Sequence, residues 1–328
     1  MSEKKKIILS GMRPTGKLHL GHYVGALENW IKYQNEYQNF HLIADYHVLT
    51  TNLDATNIYN DSIDMLIDWL AAGLNPEISP MFRQSQIKEH TELHLIFSML
   101  ATVSRLERNP TVKDQVRDLN IENMTYGHLG YPVLQTADIL LYKGEAVPVG
   151  EDQVPHIEIS REIARRFNNQ YGVTFPEPEP MLTQFSRLSG LDGNAKMSKS
   201  LGNSILMSDD RETVKTRLRK AVTDPLKVRK NDPGRPEVCL VFSYHKKFNP
   251  NELNEIETGC KSGTLGCVDC KIKCSENISN FLEPIIEKRK YYEDNPKLVL
   301  DILHDGELKG RAKAVETMQE VREKMRIG

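Results

Sequence analysis

Residues 7–26 read IILSGMRPTGKLHLGHYVGA, and this stretch decides the fold. Its first four residues are apolar or small, which is typical of a short buried strand. Gly11 and the Pro-Thr-Gly sequence at 14–16 end the strand, and apolar residues then follow with helical spacing at 18–30. The order of strand, tight turn and helix predicts an open parallel sheet, in which ligands bind beyond the carboxyl ends of the strands.

Strand and helix patterns alternate along the rest of the first half of the chain. Further strands are predicted at 40–48, 79–84 and 147–149, and helices at 58–72, 91–106, 131–141 and 154–168. This alternation implies an α/β architecture with a parallel sheet. After residue 203 the patterns are helical, at 211–222, 251–257, 278–291, 296–304 and 308–325. A change of domain is therefore predicted near residue 203.

The composition narrows the possible function classes. The chain has 328 residues and a formal net charge of −2 at pH 7. No apolar run approaches the length that spans a bilayer, and the sequence MSEKKK has no long apolar core, so no membrane partner and a cytoplasmic location are expected. The charge argues against indiscriminate nucleic-acid binding but allows a local basic face. Such a face is predicted from Arg211, Lys215, Arg217, Arg219, Lys220, Lys227, Arg229 and Lys230, although a charge run of this kind is as often only a solvated helix face.

Two separated motifs carry groups suited to a nucleotide triphosphate. His19 and His22, in the sequence HLGH, stand three residues apart and would share a helix face, with Gly21 leaving room for a flat ring. Far downstream, KMSKS at 196–200 is flanked by glycines, so its two lysines are predicted on a loop that could neutralise leaving phosphates. Each motif alone is weak, because histidine pairs and basic loops are also common on surfaces. Together they favour a nucleotide site.

The pair resembles the HIGH and KMSKS signatures of class I aminoacyl-tRNA synthetases. Three more stretches make the chain similar to the tryptophanyl-tRNA synthetase family over nearly its whole length: YPVLQTADILLY at 131–142, VPVGEDQ at 147–153 and HIEISREIARRFN at 156–168. The resemblance implies ATP-dependent activation of L-tryptophan with Mg²⁺, transfer to tRNA(Trp), and a homodimer. It also implies a Rossmann-type catalytic domain at 1–192, the KMSKS loop at 193–204, and an all-helical tRNA-binding domain at 205–328.

The resemblance assigns ATP to residues from several parts of the chain. The residues expected to act in catalysis are His19, His22, Lys196 and Lys199, with the two lysines on the β- and γ-phosphates. The residues expected to bind ATP are Arg13, Pro14, Thr15, Gly21, His22, Gly150, Glu151, Asp152, Leu188, Lys196, Met197, Ser198, Lys199 and Ser200.

Asp138 is the main candidate for tryptophan recognition, because a carboxylate within an apolar helical stretch is unusual. It would accept the indole N–H, and the alternative is a structural aspartate paired with a nearby cation. The family pattern completes the substrate pocket with Leu9, His47, Tyr131, Gln135, Val147, Val149 and Gln153. Gln135 and Leu9 depart from that pattern, in which Met and an aromatic residue are typical. The tyrosyl enzymes share the fold, but Leu9 cannot bind a phenol hydroxyl, which favours tryptophan.

All five cysteines lie within 239–274, which predicts a metal site rather than disulfides. Their spacing, C-x20-C-x6-C-x2-C, resembles an iron–sulfur motif of some bacterial tryptophanyl-tRNA synthetases, with a first gap two residues shorter. The resemblance implies a [4Fe-4S] cluster, with Zn²⁺ as the alternative. The expected ligands are Cys239, Cys260, Cys267 and Cys270, with the CxxC pair in a loop. Cys274 is left spare, or replaces Cys239.

Two rival function classes share part of this pattern. A nucleotidyltransferase that uses an HxGH motif would adenylylate a small molecule, and would need neither the 131–138 stretch nor a long helical tail. A non-enzymatic RNA-binding relative would be expected to lose the histidine pair or the loop lysines. Both features are present here.

Overall fold

The structure is a computed structural model that describes residues 5–118, 120–182, 188–193, 197–199 and 201–327. Its strands are β1 (Ile7–Met12), β2 (Gln38–Ile43), β3 (Met81–Arg83), β4 (Ala146–Val149) and β5 (Glu179–Leu182). They form one sheet in the order β3-β2-β1-β4-β5, and all neighbouring strands are parallel. The predicted α/β fold with a parallel sheet is confirmed.

Helices alternate with the strands in the first part of the chain and follow one another after β5. In chain order they are α1 (Leu20–His22), α2 (Glu28–Tyr33), α3 (Asp45–Leu49), α4 (Ile58–Ala72), α5 (Glu89–Ser98), α6 (Val103–Glu107), α7 (Pro110–Asp118), α8 (Tyr126–Leu141), α9 (Val154–Tyr171), α10 (Arg211–Arg219), α11 (Leu240–Phe248), α12 (Leu253–Ser262), α13 (Cys267–Glu293) and α14 (Pro296–Met325). A π-helical turn spans Tyr23–Leu27. Short 3-10 turns span Gln84–Gln86, Glu151–Gln153, Pro236–Val238 and Pro250–Glu252. No helix in these described ranges is long and apolar enough to cross a membrane.

Two element boundaries differ from the sequence prediction for physical reasons. The strand predicted at 40–48 ends at Ile43, because the Asp45 carboxylate accepts the backbone N–H groups of Tyr46 and Ser85 and starts α3. The two helices predicted at the C-terminal end are one helix, α14. Gly306, in the gap between the two predicted helices, serves close packing, since a Cβ at this position would overlap the carbonyl oxygen of Met81 in β3.

The chain divides into two compact units. The first comprises Met1–Gly16, Glu28–Gln184 and Asn295–Gly328 and contains the whole sheet. Its core joins one sheet face, with Leu9, Phe40 and Phe82, to apolar residues of α5, α8, α9 and α14. The last helix is fixed along β3, where the Arg83 guanidinium lies 2.7 Å from the Glu307 carboxylate. A helix from the C-terminal end thus covers the edge of the sheet and protects it from pairing with other chains.

The second unit comprises Lys17–Leu27 and Phe185–Asp294. Within it, the segment that carries HLGH is hydrogen-bonded to residues 205–207: the Leu20 N–H donates to the Ile205 carbonyl at 2.9 Å, and the Met207 N–H donates to the Leu18 carbonyl at 2.8 Å. Helices α10 and α13 pack against each other, and α11 also packs on α13. The long helix α13 is therefore the centre of this unit.

Candidate functional site

A cavity of about 210 Å³ lies in the first unit, beyond the carboxyl end of β1. Seven of the eight residues predicted to bind the amino acid line it: Leu9, His47, Tyr131, Gln135, Asp138, Val147 and Gln153. The eighth, Val149, packs against the neighbouring apolar core instead. Arg13, predicted for ATP, also lines the cavity, and so do Thr50 and Gln115, which the sequence did not indicate. The cavity combines apolar walls with a few polar groups, as small-molecule sites do.

Asp138 projects from α8 with only 2% of its surface exposed. Its Oδ2 lies 2.9 Å from Nε2 of His47, and its Oδ1 lies 2.7 Å from Nδ1 of His90 and accepts a 2.7 Å hydrogen bond from Nε2 of Gln84. Burial alone would raise the pKa of Asp138, but the hydrogen bonds from His47 and His90 outweigh it and hold this pKa well below its usual range. The side chain is therefore an ionised carboxylate that can only accept hydrogen bonds.

Tyr131 is held by a chain of hydrogen bonds whose directions can be worked out. The Thr111 backbone N–H donates to Oδ1 of Asn109 at 2.9 Å, so Nδ2 of Asn109 faces Nδ1 of His156 at 3.0 Å and must donate to it. Burial lowers the pKa of His156 to about 4, so the neutral ring carries its proton on Nε2. That N–H donates to the Tyr131 hydroxyl oxygen at 2.8 Å. The hydroxyl hydrogen of Tyr131 is then oriented toward another acceptor.

The sequence did not indicate the supporting residues His90, Gln84, His156 and Asn109. His90 and Gln84 lie 48 and 54 positions from Asp138 in the chain, and Asn109 lies 47 positions from His156. No local pattern marks such pairs, because they meet only when separate elements pack on each other. Their neighbours in the sequence are largely polar as well, as Glu89 and Thr91 are for His90, so no local signal could have marked them.

The other ATP candidates in the first unit lie in loops. The Arg13 guanidinium donates to the carbonyl of Val48 at 3.4 Å and to the hydroxyl of Thr51, and burial lowers its pKa. Pro14 and Thr15 follow it directly. Gly150, Glu151 and Asp152 form the start of a short 3-10 turn, and Thr111 donates to the Asp152 carbonyl at 2.8 Å.

The two signature segments lie in the second unit. His19 caps α1, and its ring stacks on that of His22 with centroids 3.7 Å apart. Each ring also accepts from the other's backbone N–H through Nδ1, at 3.3 and 3.4 Å. A side chain on Gly21 would come within 2.9 Å of the His19 ring, which explains the glycine between the histidines. The predicted shared face of the histidine pair is thus present as a stacked pair.

The second signature is described for three of its five residues, and Lys196 and Ser200 lie outside the described residues. Met197 is buried, while Ser198 donates its backbone N–H to Oδ1 of Asn203 at 2.7 Å. Lys199 is exposed, and its ammonium donates to the Lys17 carbonyl at 3.0 Å. Leu188, also predicted for ATP, is buried in the same unit. The ammonium of Lys199 is therefore at the surface beside the backbone that precedes HLGH.

The cysteines of the second unit come from three helices. Cys239 caps the start of α11, Cys260 lies near the end of α12, and Cys267 and Cys270 are in the first turn of α13. The expectation that the CxxC pair lies in a loop was wrong, because α13 begins at Cys267 and not at residue 278. No disulfide joins these residues. Among the residues that the structure describes, no group of three or more His, Cys, Asp or Glu could hold a single metal ion.

The four thiols nevertheless lie close enough to interact. Burial, and then the thiols of Cys239, Cys260 and Cys267, raise the pKa of Cys270 to about 12. Lys227, only 7% exposed, acts in the opposite direction and lowers the pKa of both Cys260 and Cys270. A buried cation beside four thiols suits a group that makes them thiolates.

Comparison with known proteins agrees with this geometry. Residues 1–283 match the family of class I tRNA synthetases (W and Y). The tryptophan–tRNA ligase of Thermotoga maritima is 48% identical, over 98% of this chain and 99% of its own, and that of Aquifex aeolicus is 43% identical with the same coverage. A crystal structure of Campylobacter jejuni tryptophanyl-tRNA synthetase complexed with ADP and tryptophan gives a TM-score of 0.87 at 33% identity, covering 98% of this chain and 100% of that one. The chain therefore belongs to the class I tRNA synthetases, in the tryptophanyl-tRNA synthetase family.

Proposed function

We propose that this protein activates L-tryptophan with ATP and transfers it to tRNA(Trp), a step of protein synthesis expected in the cytoplasm. In the first step a carboxylate oxygen of tryptophan attacks the α-phosphorus of ATP, the adenylate bond forms and pyrophosphate leaves. In the second step a ribose hydroxyl at the end of the tRNA attacks the activated carbonyl, and AMP leaves. The observation that carries the proposal is the cavity with an ionised, buried Asp138 beside apolar walls.

Asp138 selects the amino acid in this proposal. Oδ2 already accepts from His47 and retains a lone pair, which takes the N–H of an indole ring. Leu9 and Val147 provide apolar walls in the lining of the cavity. Leu9 offers no hydrogen bond to a phenol, so a bound tyrosine would lack the second hydroxyl partner that a tyrosine site supplies beside the acid. Tyr131, Gln135 and Gln153 provide the polar groups for the amino and carboxylate ends of the substrate.

ATP and Mg²⁺ are assigned by residue type and by the family pattern. His19, His22, Lys196 and Lys199 are proposed to stabilise the charge that develops on the phosphates, since adenylate formation needs position and neutralised oxygens rather than a covalent enzyme intermediate. Mg²⁺ would arrive with the nucleotide and offset the negative charge of its phosphates. The remaining proposed ATP contacts are Arg13, Pro14, Thr15, Gly21, Gly150, Glu151, Asp152, Leu188, Met197, Ser198 and Ser200.

Exchange of labelled pyrophosphate into ATP tests the activation step. We expect exchange with tryptophan alone when all twenty amino acids are assayed with Mg²⁺. Exchange with tyrosine would keep the mechanism and reject the assignment of the cavity. No exchange with any amino acid, in protein that binds tRNA, would favour the non-enzymatic alternative.

We propose that tRNA binds the exposed part of the basic stretch after the second signature. Arg217 is paired with Asp209 at 3.0 Å and Lys227 is buried, so these two residues are structural. The exposed cations of the stretch are Arg211, Arg219, Lys220, Arg229 and Lys230. Reversing Lys220 and Arg229 to Glu should weaken aminoacylation and reduce its salt dependence while leaving pyrophosphate exchange unchanged. Equal charging by the variant would reject this surface.

We also propose a homodimer that buries an exposed apolar row in the first unit. Leu95, Met99 and Val103 follow at four-residue intervals and are 57%, 75% and 59% exposed. Apolar groups in such a row are typical of a surface that is covered in the assembled protein. Sedimentation should give a dimer for the wild type and a monomer for Met99→Lys. A wild-type monomer at micromolar concentration, or a dimeric variant, would reject the proposal.

We propose finally that Cys239, Cys260, Cys267 and Cys270 hold a [4Fe-4S] cluster. The thiols of Cys239, Cys260 and Cys267 act on the pKa of Cys270, so the four groups lie near one another, as ligands of one cluster would. Zn²⁺ usually takes two close pairs of cysteines, whereas this set has one CxxC pair, so Zn²⁺ is the weaker candidate. The cluster would cross-link the starts of α11 and α13 to the end of α12, and the buried Lys227 would offset its negative charge.

Metal analysis decides between these groups. Anaerobically purified protein should contain iron and acid-labile sulfide and show charge-transfer absorption. The Cys267→Ser variant should lose all three. Cys274→Ser is the matched control, because Cys274 is buried and lies one helical turn after Cys270 in α13. This variant should keep the iron content of the wild type. Stoichiometric zinc without iron would reject the cluster.

A further inference from the structure

His90 lies behind Asp138, outside the cavity lining. It is in the first turn of α5 and has no exposed surface. Its Nδ1 lies 2.7 Å from Oδ1 of Asp138, and its Nε2 lies 3.0 Å from the hydroxyl of Tyr142. Tyr142 is also fully buried and follows Asp138 by one helical turn. The imidazole therefore connects a buried phenol to the carboxylate that faces the ligand.

The direction of both hydrogen bonds follows from the chemistry of the end groups. An ionised Asp138 only accepts, so Nδ1 of His90 carries a proton. Burial raises the pKa of Tyr142 well above its ordinary value, so the phenol keeps its proton and can donate it to Nε2. The rings of Phe40 and Phe82 lie 4.9 and 5.1 Å from that of Tyr142, so few other partners are within reach.

The two carboxylate oxygens of Asp138 have different hydrogen-bond partners. Oδ1 accepts from both His90 and Gln84, neither of which lines the cavity. Oδ2 accepts from His47, which does line it. The inner oxygen is thus saturated by buried donors, and the outer oxygen keeps an acceptor site that points to the ligand.

We propose that His90, supported by Tyr142, is a positioning residue for amino-acid selection: it keeps Asp138 an acceptor-only carboxylate, so that the cavity prefers a ligand that brings an N–H. This inference rests on the proposed role of Asp138 in binding the indole. The titratable groups that face Asp138 are His47 from α3, His90 and His94 from α5, and Tyr142 on α8. Removal of His90 takes away one donor while the burial of Asp138 remains, so the pKa of Asp138 rises in the variant and its ionised form is less favoured.

The test compares tryptophan with 3-(3-benzothienyl)alanine, in which sulfur replaces the indole N–H at nearly the same size. The ratio of kcat/KM values for the two amino acids in pyrophosphate exchange is measured from pH 6 to pH 9. For the wild type we expect a high ratio that hardly changes with pH. For His90→Leu we expect a ratio lower by about tenfold, the size of one hydrogen bond to a charged group, with the largest loss at the lowest pH, because the variant's carboxylate takes up a proton more readily.

Three further variants separate positioning from stability. His90→Asn places an amide donor where Nδ1 stood and should restore most of the ratio. Tyr142→Phe removes only the hydroxyl and should lower the ratio less than His90→Leu; it also keeps the test open if His90→Leu does not fold. His41→Leu removes another fully buried imidazole, whose nitrogens have no hydrogen-bond partner, and should leave the ratio unchanged.

The outcomes distinguish two failures. A wild type that uses both amino acids equally would overturn the indole contact of Asp138 and this inference with it. A wild type that discriminates, together with His90→Leu and Tyr142→Phe variants that discriminate equally well at every pH, would overturn only the role of His90. A loss of thermal stability without a change in ratio would give His90 a purely structural role.

Discussion

The amino-acid cavity and the two signature segments are built in opposite ways. In the cavity, Asp138 and Tyr131 are each fixed by buried partners from distant parts of the chain. In the signature segments, His19 and His22 contact each other within one turn, and Lys199 is exposed with a backbone carbonyl as partner. Selection between similar amino acids needs fixed donors and acceptors, because an unpaired buried group is costly. Neutralising phosphates needs cations that can reach their targets.

Replacing Lys199 should give the largest effect and should leave amino-acid recognition intact. Lys199→Ala removes an exposed ammonium that is proposed to act on the leaving phosphates. We expect kcat for pyrophosphate exchange to fall by about 100-fold or more, with an unchanged KM for tryptophan. Lys261→Ala, an exposed lysine of the same unit that pairs with Glu257, is the control and should keep full activity. A variant whose KM for tryptophan rises while kcat is kept would contradict the division between the two regions.

Replacing Asp138 tests the opposite side of the comparison. Asp138→Asn keeps the shape of the side chain but removes the charge that His47, His90 and Gln84 surround. We expect KM for tryptophan to rise by about 10- to 100-fold, the equivalent of a charged hydrogen bond, because the indole then meets an amide. KM for ATP, measured at saturating tryptophan, should not change. An unchanged KM for tryptophan would reject Asp138 as the indole acceptor.

The same contrast explains what the sequence could predict. Four of the five strands and both signatures are local patterns, so hydrophobic periodicity and spacing indicated them from single stretches, whereas β5 begins within a proline-rich stretch, where periodicity indicated no strand. Asp138 was also indicated, because a carboxylate in an apolar helix contradicts its surroundings. Two of its donors, His90 and Gln84, were not indicated, since they lie 48 and 54 positions away and no local pattern links them to Asp138. The CxxC pair was predicted in a loop because the glycines and lysines around it are typical of loops, although α13 begins at Cys267.

The packing of α14 on β3 can be weakened by a substitution outside the cavity. Gly306 in α14 lies against the backbone of β3, and a Cβ there would overlap the Met81 carbonyl oxygen, so Gly306→Ala must displace the helix or the strand. We expect a loss of about 2 kcal/mol in the free energy of unfolding, measured by urea denaturation. Gly127→Ala is the control, because its Cβ would meet only the Thr125 hydroxyl at 3.9 Å. Equal stability of the two variants would show that β3 and α14 adjust freely.

The smallest effect concerns a buried histidine that lacks the partners of His90 and His156. His41 lies against Trp30 and Trp69, and burial lowers its pKa to about 3. Between the ordinary pKa near 6.5 and that value, the unfolded chain binds a proton at this position that the folded protein does not. Stability from this residue is therefore present above pH 6.5 and is lost as the pH falls, by up to about 1.4 kcal/mol per pH unit. His156 contributes in the same direction.

Replacing His41 by Leu should therefore reduce the slope of the unfolding free energy against pH between pH 6.5 and 5. The expected reduction is the slope that one bound proton contributes, up to about 1.4 kcal/mol per pH unit. The same measurement on His304→Leu, at an exposed position of α14, should keep the slope of the wild type. An unchanged slope in His41→Leu would mean that the folded protein protonates His41 near its ordinary pKa, which needs a hydrogen-bond acceptor that reaches the ring. In that case His41 would have a hydrogen-bond partner as His90 and His156 do. The three buried histidines would then differ in which groups they bind, and not in whether they are hydrogen-bonded.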